Sequence, residues 1–197
     1  MNEYVMYVCD TETNGLDNIK HSIIELSLYR LSDDIQKTWS IKPFNPENTD
    51  PAALRINGHK IEDLRGDTKY GQDTYLDPNQ VIIDVENWMA EDNVPAAQRV
   101  LVGANTGFDK AMLDQLWIKC NSPDSFPFGR RYLDIQQIEF FLNMCQNNML
   151  DSYSLSSIIK KYGIANVKAH TAAADTVAAK QVLDKQISYF KSKIGIE

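Results

Sequence analysis

A chain of 197 residues lies within the usual size range of one domain and is long enough to bury a hydrophobic core. Hydrophobic residues make up 43% and charged residues 24% of the sequence, as in ordinary globular proteins. No apolar run approaches the roughly 20 residues that span a bilayer, so no membrane partner is expected. Taken alone, the formal net charge of −7 argues against nucleic-acid binding, which usually requires a basic surface.

The cysteines and the N-terminus indicate a cellular setting. Cys9, Cys120 and Cys145 are odd in number and lack the spacing of metal ligands, so neither a disulfide framework nor a zinc site is predicted. The first four residues include an acid and lack the basic segment of a secretory signal. A reducing cytoplasm is therefore the expected location.

The first part of the chain is typical of strands. Runs rich in β-branched and aromatic residues predict three strands, over residues 4–9, 22–31 and 36–42. Pro43 and Pro46 then end the pattern. The polar stretch over residues 65–79 is predicted to be a surface loop.

The rest of the chain alternates helices with short strands. Asp77-Pro78 leads into helical spacing, Asp134 is predicted to cap a helix, and Gly163 is predicted to end one. The further predicted elements are a strand at 99–103, a helix at 107–119, a loop at 121–129, a short strand at 132–133, and helices at 135–145, 155–162 and 171–191. This order predicts an α/β fold with one mixed sheet and helices against it, in a single domain over residues 1–197.

Two acids, Asp10 and Glu12, follow the first predicted strand. Residues two apart on an extended chain point to the same face, so the two carboxylates should project together. Like charges at that distance repel, and a divalent cation relieves the repulsion. Carboxylate oxygens are hard ligands that suit magnesium or manganese.

Two other interpretations compete for residues 10–15. A plain turn explains the asparagine and the glycine without any chemistry. The run also nearly matches the start of an EF-hand calcium loop. However, the position that closes such a loop holds His21 instead of glutamate, and a strand instead of a helix precedes it. The EF-hand interpretation is therefore rejected.

A third acid, Asp109, comes after the strand at 99–103 and opens a helix. Thr106, three residues earlier, resembles one half of a capping box, and a helix dipole favours an acid in the first turn. Taken alone, a structural role explains Asp109 better than a catalytic one.

His170 and Asp175 open the last predicted helix. A histidine near carboxylates can take a proton from an attacking water, because imidazole changes charge near neutral pH. Each of these pieces is weak alone. Their combined order, an acid pair after the first strand, an acid after a later strand and a His–Asp pair at the last helix, is a far more specific pattern.

With these residues in place, the sequence resembles the DEDDh exonucleases, the group related to the proofreading subunit of the bacterial replicative polymerase. Asp10 and Glu12 match the first motif in the form DTETNGL, Asp109 matches the second, and His170 with Asp175 match the third. The segments at 23–26, 132–134 and 154–164 fit as well, so the resemblance covers roughly residues 4–185.

The resemblance implies an RNase H-like fold and a 3′→5′ exonuclease that releases nucleoside 5′-monophosphates from single-stranded DNA or RNA ends. Asp10, Glu12, Asp109 and Asp175 would hold two divalent cations, Mg²⁺ or Mn²⁺. His170 would be the general base that deprotonates the attacking water.

The resemblance also implies five substrate contacts. Two groups would hold the terminal nucleotide and line its pocket: Thr13, Gly15 and Leu16 in the first, Asn105 and Phe108 in the second. The sequence departs from the family pattern where Ala104 replaces a frequent histidine. It departs again after the third strand, where the family often has a His-Gly pair and residues 57–59 of this chain read Asn-Gly-His. Ile56 is predicted to wedge under a terminal base or to pack in the core.

The acidic charge is compatible with such a substrate. Four metal-binding acids account for −4, which two divalent cations would offset, and a short single-stranded end needs few phosphate contacts. The candidate phosphate contacts are Arg130, Arg131, Lys160 and Lys161. Solvated surface charge is the simpler interpretation of the two lysines.

Two other functions stay open. One is a module that binds nucleic-acid ends or takes part in polymerase proofreading, since residues 186–190 vaguely resemble a sliding-clamp peptide. Because that segment lies in a predicted helix, core packing or chance explains it better. The other is a nuclease that trims tRNA or very short RNA, because the sequence does not place a pocket for the 2′-hydroxyl.

Overall fold

A five-stranded mixed β-sheet organises the computed structural model, which describes residues 4–165 and 170–195. The strands of this described part are β1 (Val5–Thr13), β2 (Ile23–Arg30), β3 (Ile35–Ser40), β4 (Arg99–Gly103) and β5 (Tyr132–Asp134). Their order across the sheet is β3-β2-β1-β4-β5. The pairs β1–β2 and β2–β3 are antiparallel, whereas β1–β4 and β4–β5 are parallel, which confirms the predicted mixed sheet.

Helices follow and interrupt the strands. In the described residues they are α1 (Pro51–Asn57), α2 (Ile61–Arg65), α3 (Lys69–Thr74), α4 (Pro78–Ala90), α5 (Thr106–Lys119), α6 (Ile135–Gln146), α7 (Leu155–Tyr162) and α8 (Ala172–Ile194). Single 3-10 turns lie at Pro46–Asn48, Ala96–Gln98 and Pro123–Ser125. No helix of the described part combines the length and the apolarity that crossing a membrane requires.

The predicted cap at Asp134 and the predicted helix end at Gly163 are confirmed, and Asp77 caps a further helix. The side chain of Asp77 accepts a hydrogen bond from the amide of Asn79 at the start of α4, and that of Asp134 accepts one from Gln136 at the start of α6. Gly163 ends α7 with φ at 64°, a left-handed conformation that glycine adopts without a steric penalty. These signals were readable because each lies within a few residues of the helix end that it determines.

The loop predicted over residues 65–79 is wrong in part. It contains α3, whose start is capped by the hydroxyl of Thr68 accepting from the amide of Gly71. It also holds the last residue of α2 and the start of α4, and α1 precedes it without a predicted counterpart. These short helices have five to seven residues, too few to show a helical repeat of apolar positions.

The two faces of the sheet bury different helices. Tyr7 and Cys9 of β1 pack with residues of α4 and α5, such as Trp88 and Leu113. Val8, one position away and on the opposite face, packs with α6, α7 and α8, including Val182. Alternate residues of β1 therefore point towards α5 on one side and α8 on the other, which decides where its polar end projects.

Candidate active site

The acid pair lies within β1 and not after it. The strand was predicted to end at residue 9, but it continues to Thr13 because Asp10 to Thr13 pair with β2. The plain-turn interpretation of this segment is therefore wrong. Asp10 and Glu12 share the face of Val8, which is the face that α8 covers, as their two-residue spacing predicts.

Three carboxylates meet at this end of the sheet. Oxygens of Asp10, Glu12 and Asp175 all lie within 4.8 Å of one another, and all three side chains are only partly exposed. Asp175 reaches them from the first turn of α8, whose start is capped by Thr171 accepting from the amide of Ala174. A helix dipole is favourable for an acid in that turn.

Burial and the charges of neighbouring acids favour the protonated forms of Asp10 and Glu12 in the absence of a cation. Burial, together with the charges of Asp175 and Glu25, raises the pKa of Glu12 to about 7. Burial also raises the pKa of Asp10 well above its usual range, with Asp109 as the second cause and Glu12 as the third. Each group would regain its ordinary acidity beside positive charge, so the cluster fits a divalent cation.

The chemistry of the donor set supports that fit. Three carboxylates offer only oxygen atoms, which are the ligands that Mg²⁺ and Mn²⁺ prefer. Glu25 stands directly opposite Glu12 in the β1–β2 register and adds another negative charge nearby. The site thus has the charge and the hard donors that a small divalent cation needs.

Asp109 approaches from the other side of the sheet. Its side chain is 4% exposed, and its Oδ1 accepts a hydrogen bond of 2.7 Å from the hydroxyl of Thr11. Burial raises the pKa of Asp109 to about 7, an effect that the Thr11 bond opposes. Its charge acts on Asp10, although it is not a member of the three-carboxylate group.

The capping-box interpretation of Asp109 is wrong. The residue that caps α5 is Asn105, in a left-handed conformation with φ at 63° and without a side-chain cap bond. The hydroxyl of Thr106 instead donates to the carbonyl of Leu133 on β5, at 2.7 Å. Asp109 does stand in the first turn of α5, as the helix-dipole interpretation predicts, and the hydroxyl of Thr11 orients its carboxylate from β1.

His170 lies beside the carboxylates. Its backbone is left-handed, with φ at 70°, and its amide donates to Oδ2 of Asp175 at 3.0 Å. Together with Asp10 and Asp175 it lines a cavity of about 280 Å³, which the start of α7 walls on the other side. Ala169, the residue before it in the predicted motif, lies outside the described residues.

The predicted substrate contacts do not line this cavity. The hydroxyl of Thr13 donates to the carbonyl of Gly15 at 2.9 Å, and Leu16 is 79% exposed. Asn105 is exposed at the start of α5, while Phe108 packs partly against the core. Their role in holding a nucleotide stays a prediction.

A second cavity, of about 640 Å³, lies on the Glu25 side of the site. Asn57 and His59 line it, and the amide of Asn57 donates to the carbonyl of Thr13 at 3.1 Å. Nε2 of His59 lies 3.5 Å from Oε2 of Glu25. Ile56 is 63% exposed, so its predicted core role is wrong.

Sequence reasoning gave no role at the site to Thr11, Glu25 and His59. The signal for Glu25 was an acid in the middle of an otherwise apolar strand, where a charge is costly unless a partner or a function requires it. Thr11 has no such signal, because threonine is common in strands. Its contact with Asp109 depends on the packing of α5 against the sheet.

The basic candidates lie away from the carboxylates. Arg131 precedes β5 and stacks its guanidinium over the ring of Tyr4, at 5.6 Å, near the amino ends of β5 and β1. The ammonium of Lys161 pairs with Glu139 at 2.6 Å. Gln186, in the clamp-like segment, is 1% exposed and donates a hydrogen bond to the carbonyl of Ile135. Ile187 and Phe190 of the same segment are each 38% exposed, so the predicted core packing holds for Gln186 and is wrong for these two residues.

Comparison with known proteins places these features in a family. The family model RNase_T, described as "Exonuclease", matches residues 7–183. No curated protein sequence matches the chain.

Several solved structures share the fold. The chain is similar to the zinc-bound complex of Escherichia coli exonuclease I with single-stranded DNA, at 15% identity and a TM-score of 0.75, covering 97% of this chain and 41% of that chain. Similarity to the same enzyme in complex with a dT13 oligonucleotide gives 16% identity and a TM-score of 0.71, with coverages of 94% and 41%. Exonuclease I of Methylocaldum szegediense gives 18% identity and a TM-score of 0.71, with coverages of 93% and 40%.

The chain spans about 40% of the length of these matched enzymes. At such low identity the likeness demonstrates the RNase H-like α/β fold alone. The family membership comes from the family model. The match over residues 7–183 spans nearly every strand and helix described above. This chain belongs to the RNase_T family of exonucleases.

Proposed function

We propose that this chain is a DEDDh-type 3′→5′ exonuclease that shortens single-stranded nucleic acid, DNA first, by one nucleoside 5′-monophosphate at a time. One observation carries the proposal: Asp10, Glu12 and Asp175 converge within 4.8 Å beside a cavity that His170 also lines. The similar exonuclease I structures include complexes with single-stranded DNA, which supports DNA as the substrate.

In the proposed reaction, the oxygen of a water attacks the last phosphorus of the strand. The bond from that phosphorus to the 3′ oxygen of the preceding nucleotide breaks, leaving a new 3′-hydroxyl. His170 removes the proton of the attacking water, since its exposed side chain lies at the cavity and its amide is fixed by Asp175.

Asp10, Glu12, Asp109 and Asp175 are the proposed ligands of two divalent cations, Mg²⁺ or Mn²⁺. Bound there, the cations would stabilise the negative charge on the attacking and leaving oxygens. The shared location of these acids at the carboxyl end of β1 and at two helix starts supports this assignment.

The single sheet to which β1, β2 and β4 all contribute supports one exonuclease domain with a core over about residues 4–185. Proofreading with a polymerase, binding of nucleic-acid ends without hydrolysis, and trimming of tRNA or very short RNA remain the competing functions. These competing functions differ from the proposed exonuclease in the strand that is cleaved or, for the binding module, in that no strand is cleaved.

The experiment is hydrolysis of 3′- and 5′-labelled single-stranded DNA and RNA, of 2 to about 20 nucleotides, with Mg²⁺ or Mn²⁺. Asp10→Asn and His170→Ala are compared with wild type. Asp114→Asn serves as the matched control, because Asp114 lies on α5 and pairs with Lys110 away from the carboxylates.

Stepwise loss from the 3′ end that both test variants abolish and the control retains would support the proposal. Cleavage from the 5′ end, or unchanged hydrolysis by Asp10→Asn, would overturn it. Binding of labelled strands without hydrolysis by wild type would favour the binding module, and cleavage confined to RNA would favour the trimming nuclease.

A further inference from the structure

An aromatic surface borders the candidate active site without a role in the proposed chemistry. Phe140 of α6 is 43% exposed, and its ring lies 5.3 Å from that of Tyr153, the two planes at 67°. Together with Gln136 and Gln137 these rings line a cavity of about 270 Å³. We call these four residues the α6 aromatic site.

The α6 aromatic site is continuous with the active-site cavity. Gln136 lines both cavities, so the two cavities adjoin at this residue. Tyr153 directly precedes Ser154, which lines the active-site cavity at the start of α7. A chain leaving that cavity past Gln136 would reach the aromatic rings next.

The spacing suits a strand of nucleotides. Phe140 follows Gln136 by four residues on one helix face, a rise of about 6 Å along the axis. Stacked nucleotides advance by about 3.4 Å each, so the rings lie about two nucleotides from the cavity wall.

This part of the surface also carries little charge. Residues 135–150 contain a single charged side chain, Glu139, on a protein whose formal net charge is −7. Glu139 is 0% exposed and is neutralised inside the fold by the ammonium of Lys161, with further bonds from Tyr162 and Gln186. An anionic strand therefore meets amides and aromatic rings along α6, while the exposed Asp151, two residues before Tyr153, is the acid nearest to that ring in sequence.

We infer that the α6 aromatic site binds the bases of a single strand just upstream of the bond that is cleaved, by stacking on Phe140 and Tyr153. The inference rests on the proposed exonuclease function. Aromatic rings bind single strands with little sequence preference, because every base presents a flat face. The amides of Gln136 and Gln137 supply hydrogen bonds to bases or phosphates beside the rings.

A protein partner is the less favoured occupant. The cavity is small, and Gln136 joins it to a cavity where acids and His170 stand beside Leu155 and Ile159 of α7. A strand whose end sits in the active site must leave it along some surface, whereas no partner chain is required by the fold.

The test compares two substrates that differ in length. The first is the p-nitrophenyl ester of thymidine 5′-monophosphate, which is too short to reach Phe140, and the second is an oligothymidylate of eight nucleotides. For Phe140→Ala, the ratio of the octamer KM to the ester KM should rise about five- to hundredfold, the range expected for one lost base stack.

Phe141→Ala is the matched control, because Phe141 is the adjacent exposed ring on α6 and does not line the cavity. Its KM ratio should equal that of wild type. Phe140→Trp should restore the ratio that Phe140→Ala changes, since it returns a stacking face. With an octamer that lacks bases at the second to fourth nucleotides from the 3′ end, Phe140→Ala and wild type should have equal KM.

An unchanged KM ratio in Phe140→Ala would overturn the inference while leaving exonuclease activity in place. If wild type hydrolyses neither substrate, the proposed function fails, and direct binding of a labelled octamer in EDTA then tests the site. Weaker binding by Phe140→Ala than by Phe141→Ala would still support a strand-binding surface, and equal binding would exclude it.

Discussion

The hydroxyl of Thr11 donates a hydrogen bond of 2.7 Å to Oδ1 of Asp109, joining residues 98 positions apart. Thr11 belongs to the face of β1 opposite to Asp10 and Glu12, and Asp109 stands in the first turn of α5. The bond therefore holds the candidate ligand Asp109 against the face of β1 opposite to the one that carries Asp10 and Glu12.

Thr11→Val should destabilise the fold by about 1–3 kcal/mol, because it keeps the shape of the side chain and leaves a buried carboxylate without that donor. Since the bond lowers the pKa of Asp109, its loss should raise that pKa and shift the acid limb of the pH–rate profile to higher pH. Urea unfolding and steady-state rates measure the two effects. Thr11→Ser retains the donor and should resemble wild type in both, so equal shifts in the two variants would contradict the assignment.

Cation binding should stabilise the protein more at high pH than at low pH. The pKa of Glu12 is about 7 in the folded protein against 4.5 in a free chain, so between these values the folded state binds more protons than the unfolded state. The free energy of unfolding of the cation-free protein therefore falls as pH rises through that window. A cation replaces those protons and removes the penalty.

At pH 8 and a cation concentration near 100 times Kd, Mg²⁺ or Mn²⁺ should raise Tm by about 5–10 °C. The rise should be much smaller at pH 5.5, where Glu12 is mostly protonated. Asp10→Asn should lose most of the rise at pH 8. Differential scanning calorimetry tests this, and an equal rise at both pH values would argue against the carboxylates as ligands.

Gly15→Ala should disrupt the turn after β1. An added Cβ would lie 2.5 Å from ring atoms of His21, whose Nδ1 accepts a hydrogen bond from the amide of Asp17. Gly163→Ala is the matched control, since its φ of 64° is also unfavourable for alanine but no atom lies within 4 Å of the new Cβ. We expect the control to lose about 1–2 kcal/mol and Gly15→Ala to lose more, with a raised KM. Equal losses of stability in the two variants would mean that the His21 ring moves aside without cost and would contradict the prediction.

Asp92→Ala should unfold the protein at a markedly lower urea concentration than wild type. Asp92 receives two hydrogen bonds of 2.8 Å from Arg99 and one of 2.6 Å from the hydroxyl of Tyr7, and its side chain is 3% exposed. Removing it leaves the Arg99 charge buried without its carboxylate, at a cost of about 3–5 kcal/mol. The neighbouring Glu91 is 57% exposed in its pair with Arg30, so Glu91→Ala should cost no more than about 1 kcal/mol.

Much of the fold could be predicted because its signals are local. The cap at Asp134, the stop at Gly163 and the pairing of the first three strands all depend on residues close together in sequence. The short helices α1 to α3 were missed because they span too few residues for a periodic pattern.

The candidate site was predictable to the extent that it repeats a known order of motifs. That order brought attention to Asp10, Glu12 and Asp175, which do converge. The position of Glu25 opposite Glu12 is a property of the strand register, and the bond from Thr11 to Asp109 is a property of how α5 packs. Both relationships join residues that lie far apart in sequence, so neither could be predicted from local sequence patterns.

The candidate site draws its carboxylates from β1 and from the first turn of α8, near opposite ends of the chain. A ribosome makes β1 first, and Asp10 and Glu12 leave the exit tunnel long before Asp175 is added. No nascent chain that stops short of α8 can assemble the three-carboxylate group. The three-carboxylate group therefore forms only after the strands of the sheet and the start of α8 have been synthesised.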